Sequence, residues 1–99
     1  MSNMHPHKKL HAYTLSFEFV KIVYLTTDFF PKQERFGLVS QIRRASVSVP
    51  VNIAEGAARK SKKEFIQLLH YSLGSVTELD TLLLLSLDLN LSLVLKQRI

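Results

Sequence analysis

The chain has no cysteine and no tryptophan, and only three glycines and three prolines. Without cysteine there are neither disulfides nor thiolate metal ligands, which fits a reducing cytoplasm as the expected compartment. Glycine is confined to positions 37, 56 and 74, so no glycine-rich loop is present to cradle a nucleotide phosphate. Serines, histidines and acids occur, but no nucleophile elbow places them together. The start, Met1-Ser2-Asn3-Met4-His5-Pro6-His7-Lys8-Lys9, has no apolar h-region, so it is not read as a secretory signal. The leucine-rich stretch 82–95 is shorter than the about 20 apolar residues of a membrane span, and Asp88 and Asn90 interrupt it. It is expected to be the end of a buried helix, with no membrane partner. His5, His7 and His11 are too loosely grouped for an ordered metal site, so neither a metal nor another cofactor is expected.

What remains is enough for one small domain. Of the 99 residues, 46% are apolar, which suffices for one packed core, although a core this small invites support from a partner. Residues 1–8 are expected to be a flexible tail and residues 9–99 a single helical-bundle domain. The net charge of +5 is unevenly spread. The first 63 residues are strongly basic, whereas residues 64–95 contain Glu64, Glu78, Asp80 and Asp88 and neither lysine nor arginine. Such an asymmetry suggests a basic surface for an anionic partner, set against the plainer reading of a solvated face.

Apolar spacing predicts helices throughout. Leu10, Tyr13, Phe17, Val20, Val23 and Tyr24 recur at helical intervals, with Leu15, Phe19 and Ile22 as a second stripe, predicting a helix from about 10 to 29. Pro31 ends it, because the residue before proline is pushed out of the helical region. A second helix is predicted from about 34 to 55. Its core face is Val39, Ile42, Ser46, Val49 and Ile53, and its polar stripe is Gln41, Arg44, Ser48, Asn52 and Glu55. The β-branched run 47–53 also permits a strand, but its alternation is imperfect and Pro50 would break the ladder. Pro50 should kink the helix, and Gly56 suits a left-handed position just after its end. Ser61 and Glu64 then form a capping box that opens a third helix. Phe65, Leu69, Ser72, Val76, Leu79 and Leu83 form its seam, broadened by Leu68, Leu73, Leu82 and Leu84. This helix is predicted to end near Asn90, with Ser92 capping a short fourth helix.

The run Phe36-Gly37-Leu38-Val39-Ser40-Gln41-Ile42-Arg43-Arg44-Ala45-Ser46-Val47-Ser48-Val49-Pro50-Val51-Asn52-Ile53-Ala54-Glu55-Gly56, with Arg59 and Ser61-Lys62-Lys63-Glu64-Phe65, resembles a bacterial family signature. The family is the four-helix-bundle proteins encoded in 23S rRNA intervening sequences, and the likeness spans roughly residues 9–91. It extends to the accessory variability determinant proteins of diversity-generating retroelements. The resemblance implies an all-α, antiparallel up-down four-helix bundle that assembles as a homo-oligomer, commonly a pentamer. In the retroelement branch the ring is basic, contacts a reverse transcriptase and binds nucleic acid. Arg43, Arg44, Asn52, Glu55, Arg59, Lys62 and Lys63 fall at the family's shared polar positions. Two departures stand out. Ala12-Tyr13-Thr14-Leu15 replaces the usual tryptophan-containing start, and the fourth helix is expected to be short or truncated.

The basic residues are the only candidate binding set. Lys62 and Lys63 follow the Ser61 cap, where cations oppose the helix dipole and a bound anion would compensate. With Arg43, Arg44, Arg59 and Lys60 they form the expected nucleic-acid-binding set, Arg43 being a better phosphate ligand than Arg44. Asn52, Glu55, Ser61 and Glu64 are expected to be structural. Asn52 would serve the carbonyl that Pro50 leaves unpaired, and Glu55 would anchor Arg44 or Arg59. The expectation is a non-enzymatic oligomeric bundle that binds RNA or DNA backbone. The alternative is a protein–protein assembly module, such as a reverse-transcriptase accessory subunit, without nucleic-acid binding of its own.

Overall fold

The computed structural model describes residues 10–98, with side chains described through residue 89. The predicted flexible tail, with His5 and His7, lies outside these residues. The chain forms three helices, α1 (His11–Thr27), α2 (Leu38–Ala58) and α3 (Lys62–Arg98), and a 3₁₀ turn at Lys32–Glu34 precedes α2. Among the described residues there is no strand, so the run 47–53 is helical. The protein is all-α.

Local chemistry sets most of the boundaries. At the end of α1 the Phe29 and Phe30 N–H groups close back on the carbonyls of Thr26 and Thr27. Pro31 then prevents continuation. The second helix starts later than its periodicity suggests, because Gly37, at φ −106° and ψ −104°, separates the 3₁₀ turn from α2. Pro50 sits inside α2, which runs through it to Ala58.

Gly56 does not take the left-handed conformation expected of it; no described glycine has positive φ. It lies within α2 because α3 passes close by. A methyl group at this position would stand 2.9 Å from Phe65 Cδ1, 3.2 Å from Leu68 Cβ and 3.3 Å from the Phe65 carbonyl oxygen. Lack of bulk is what the site requires, and conformational freedom is not used.

The predicted fourth helix is also corrected. α3 continues through Asn90 and Ser92 as one helix of 37 residues. No glycine or proline follows Gly74, so nothing forces a stop, and leucine-rich sequence carries the helix on. The described residues therefore form three helices and not a four-helix bundle with a short last helix.

α2 is the central element. It packs against α1 on one flank and α3 on the other, while no described Cα of α1 lies within 8 Å of one in α3. The predicted α2 core face, Val39, Ile42, Ser46, Val49 and Ile53, is buried throughout, with Ile42 and Ser46 fully so. Val23, Ile42, Ala45, Leu79 and Leu82 form the central cluster, joined by Phe30, Leu38 and Leu83. Serines bring α2 and α3 together. The Ser72 hydroxyl donates to the Val49 carbonyl at 3.1 Å, and the Ser48 and Ser75 hydroxyls meet across the interface.

The α1 and α3 stripes divide differently from their periodicity. Leu15, Phe19 and Ile22 stay exposed, as do Leu69, Leu73, Val76 and Leu84 on α3. Only part of each apolar surface has a partner within the described chain.

Gly56→Ala separates two opposed effects. Alanine gains helix propensity of about 1 kcal/mol, whereas overpacking costs about 1–3 kcal/mol. Because Leu68 Cβ and the Phe65 carbonyl cannot swing aside, a net loss of about 1 kcal/mol is expected. That corresponds to a midpoint about 4–8 °C lower in thermal unfolding followed by circular dichroism.

Candidate nucleic-acid interface

The basic residues fall into two places. Arg59, Lys60, Lys62 and Lys63 surround the three-residue connection from α2 to α3, and all four are exposed. Arg43 and Arg44 lie about 15 residues earlier on α2, roughly 22 Å along a straight helix. The structure therefore does not bring the six residues into one patch.

The connection is organised by its cap. Ser61 Oγ accepts the Glu64 N–H at 3.2 Å, and the Ser61 carbonyl accepts the Phe65 N–H at 3.1 Å. This is the serine half of the predicted capping box. Lys62 and Lys63 occupy the first two positions of α3, where backbone N–H groups have no intrahelical acceptor. Arg59 Nη2 lies 3.8 Å from Glu55 Oε2, with both side chains about half exposed. Glu55 thus pairs with Arg59, one of its two expected partners. Among the described residues, Lys60, Lys62 and Lys63 have no ion pair.

Arg43 has a different role from the expected one. Its Nε donates to Thr27 Oγ1 at 2.9 Å, and its Nη2 donates to the Tyr24 carbonyl at 3.2 Å and to Asp28 Oδ1 at 2.9 Å. The guanidinium also lies over the Tyr24 ring, 4.5 Å from its centroid. Thr27 completes the link, since its hydroxyl donates to the Val23 carbonyl at 2.8 Å. Arg43 therefore ties α2 to the C-terminal end of α1, where a cation is favoured by the helix dipole. With these partners it is a structural residue first. Adjacent Arg44 points elsewhere, is exposed and has no ion pair among the described residues; the Arg44–Glu55 alternative is not formed.

Asn52 does not serve the carbonyl left by Pro50. Its Nδ2 donates to the Ser48 carbonyl at 2.8 Å, one turn back. Ser46 is six residues away, about 9 Å along the axis and beyond an asparagine's reach. His11 and His70 are exposed, and among the described residues no three His, Asp or Glu side chains converge as a metal site. No described helix is long and apolar enough to cross a membrane.

The Arg43 anchor was not visible in the sequence, because nothing in Thr27-Asp28 signals a partner 15 or 16 residues onward. Lysine at position 43 would keep the charge but lose the planar fork that reaches three acceptors. Arg43→Lys is expected to cost about 1–2 kcal/mol in urea unfolding. Asp28→Asn should cost less, because that carboxylate is largely exposed and solvent screens the pair.

No curated protein matches the sequence. The family model described as 23S rRNA-intervening sequence protein matches residues 8–94, which includes all three helices up to the last turn of α3. The run from Phe36 to Gly56, the Ser61 cap and the basic connection all fall inside that match. This chain belongs to the 23S rRNA-intervening sequence protein family.

Proposed function

We propose that the protein is a non-enzymatic, cytoplasmic helical protein that binds nucleic-acid backbone through the connection between α2 and α3. The observation that carries this reading is the trio Lys60, Lys62 and Lys63. These are exposed cations without ion-pair partners among the described residues, gathered at a helix start. Two lysines in the first turn oppose the dipole of α3, at about 0.3–1 kcal/mol each at low salt. A phosphate there would reverse that cost, accepting from helix-start N–H groups while neutralising the lysines. Arg59, held near Glu55, and exposed Arg44 supply further charge to a longer backbone. Arg43 contributes by fixing α2.

Backbone contacts of this kind read charge and spacing and leave base identity unread. RNA and DNA should both bind, with RNA the natural first choice given the family's association with 23S rRNA intervening sequences.

A second reading is favoured by a separate observation: large apolar side chains stay exposed along α1 and α3. They support a homo-oligomeric assembly module, a pentamer by family likeness, or a subunit docked on another protein such as a reverse transcriptase. The two readings use different surfaces and are compatible.

Titrating a labelled structured RNA and a matched DNA across salt tests the first reading. If about four cations each neutralise a phosphate, log K should fall against log salt with a slope of about −3 to −4. Lys62→Glu/Lys63→Glu should at least halve that slope while leaving helicity unchanged. No binding at low salt, with the fold intact, would return the basic connection to the status of solvated surface.

A further inference from the structure

The connection between α1 and α2 presents two phenylalanine rings to solvent. Phe29 is 90% exposed and Phe36 92%, more than any other large apolar side chain described. The backbone beneath them is held. The Phe29, Glu34, Arg35 and Gly37 N–H groups donate to the carbonyls of Thr26, Pro31, Lys32 and Glu34. Packing within the described chain uses neither ring. Phe30 takes the inward place, joining the central cluster with Leu38 and Leu83. Adjacent residues on a helical turn diverge by about 100°, so with Phe30 inward Phe29 faces out.

Cations accompany the rings. Lys32 and Arg35 lie between them in sequence, both exposed, and neither has an ion pair among the described residues. Of the two acids in the segment, Asp28 is held by Arg43, which leaves Glu34 as the one carboxylate set against two cations. Exposed flat rings beside cations suit single-stranded nucleic acid, because the cations follow phosphates while unpaired bases stack on the rings. An internal paired base has both faces covered by its own neighbours, so a duplex gains nothing from the rings. The position also suits a strand already held at the basic connection. About 31 Å of α2 separates the two connections, with exposed Arg44 on the helix between them. About ten nucleotides cover that length at the ~3.4 Å spacing of a stacked strand.

From this we infer that the α1–α2 connection is a second contact for nucleic acid. There Phe29 and Phe36 stack on unpaired bases, and Lys32 and Arg35 neutralise adjoining phosphates, so that the protein selects single strands over duplex. This contact deepens the nucleic-acid reading and rests on it for the class of partner. It adds contact with bases but no reading of their identity, since every base offers a face to stack on. A lipid surface is less suited. Rings inserted to the acyl boundary, about 5–10 Å deep, would draw Asp28 and Glu34 in with them.

The test uses the full chain, which has no native tryptophan, so Phe36→Trp puts a single indole on the connection. A single-stranded RNA of about 12 nucleotides, long enough to span both connections, should quench its emission by stacking. The same RNA annealed to its complement should quench it far less. Phe29→Leu/Phe36→Leu keeps apolar bulk without a flat face, and should weaken single-strand binding about tenfold per ring. Its salt slope should stay unchanged, because no phosphate contact is lost. Phe29→Tyr/Phe36→Tyr should bind as the wild type does, and circular dichroism and light scattering should show the same helicity and assembled mass in every variant. Equal affinity for strand and duplex, or normal binding by the leucine variant, would overturn the stacking contact and leave charge-driven binding at the basic connection standing. A changed mass in the leucine variant would assign the rings to a protein contact. A blue shift on vesicles of anionic phospholipid, with no quenching by RNA, would assign them to a lipid surface. Quenching and a salt slope that both survive Lys62→Glu/Lys63→Glu would uphold stacking and remove the basic connection from the site. No quenching and no binding at low salt would remove both.

Discussion

At Gly56 the backbone of α2 comes so near α3 that an added methyl would crowd both a side chain and a carbonyl of the opposing helix. Along the next turns Ser48, Ser72 and Ser75 keep the helices close, with hydroxyls satisfied across the gap or back to their own chain. This tight, small-residue interface fixes the direction of α3 and the position of the Ser61 cap. The cap in turn fixes where Lys62 and Lys63 begin their helix. Close packing at one end of the α2–α3 pair thereby determines the presentation of charge at the connection.

The opposite end of α2 depends on electrostatics and hydrogen bonding. Arg43 reaches α1 through three acceptors and a ring face, and Thr27 relays one of those bonds to its own helix. Since the Arg43 side chain is only about one-quarter exposed, its bonds are better shielded than those of a free surface pair. α2 is thus secured by steric fit on one flank and by a multidentate cation on the other. Its core face is buried between them.

Much of this could be read from the residues, and the exceptions have physical causes. The α2 core positions were legible because a central helix buries its whole apolar stripe. The Ser61 cap was legible because capping is local chemistry. The role of Gly56 was not, because glycine serves both left-handed turns and close contacts, and only the position of Phe65 and Leu68 decides between them. The α3 seam was read as one face, yet Ser72 and Leu79 turn to α2 while Leu69 and Val76 turn away. Periodicity alone cannot say how many neighbours a helix has. Asn90 was read as a stop, but a lone asparagine has a weak preference that leucine-rich flanks override. The two groups of basic residues are both conspicuous in the sequence, whereas the length of α2 separates them in space.

The backbone separation of α1 and α3, with no described Cα of one within 8 Å of the other, has a consequence for how the protein acquires its fold. The described chain amounts to two helical hairpins that share α2, with its close backbone approaches between helices adjacent in sequence, while Val23 of α1 joins Leu79 and Leu82 of α3 in the central cluster. Such local topology shortens the conformational search and favours rapid folding. It also makes the hairpins separable. The α2–α3 hairpin contains the dense serine and glycine interface, while α1 is attached through a more open contact and the Arg43 anchor. Local opening should therefore begin with α1 peeling away while α2 and α3 remain paired, giving α1 weaker amide protection than the paired part of α2 and α3.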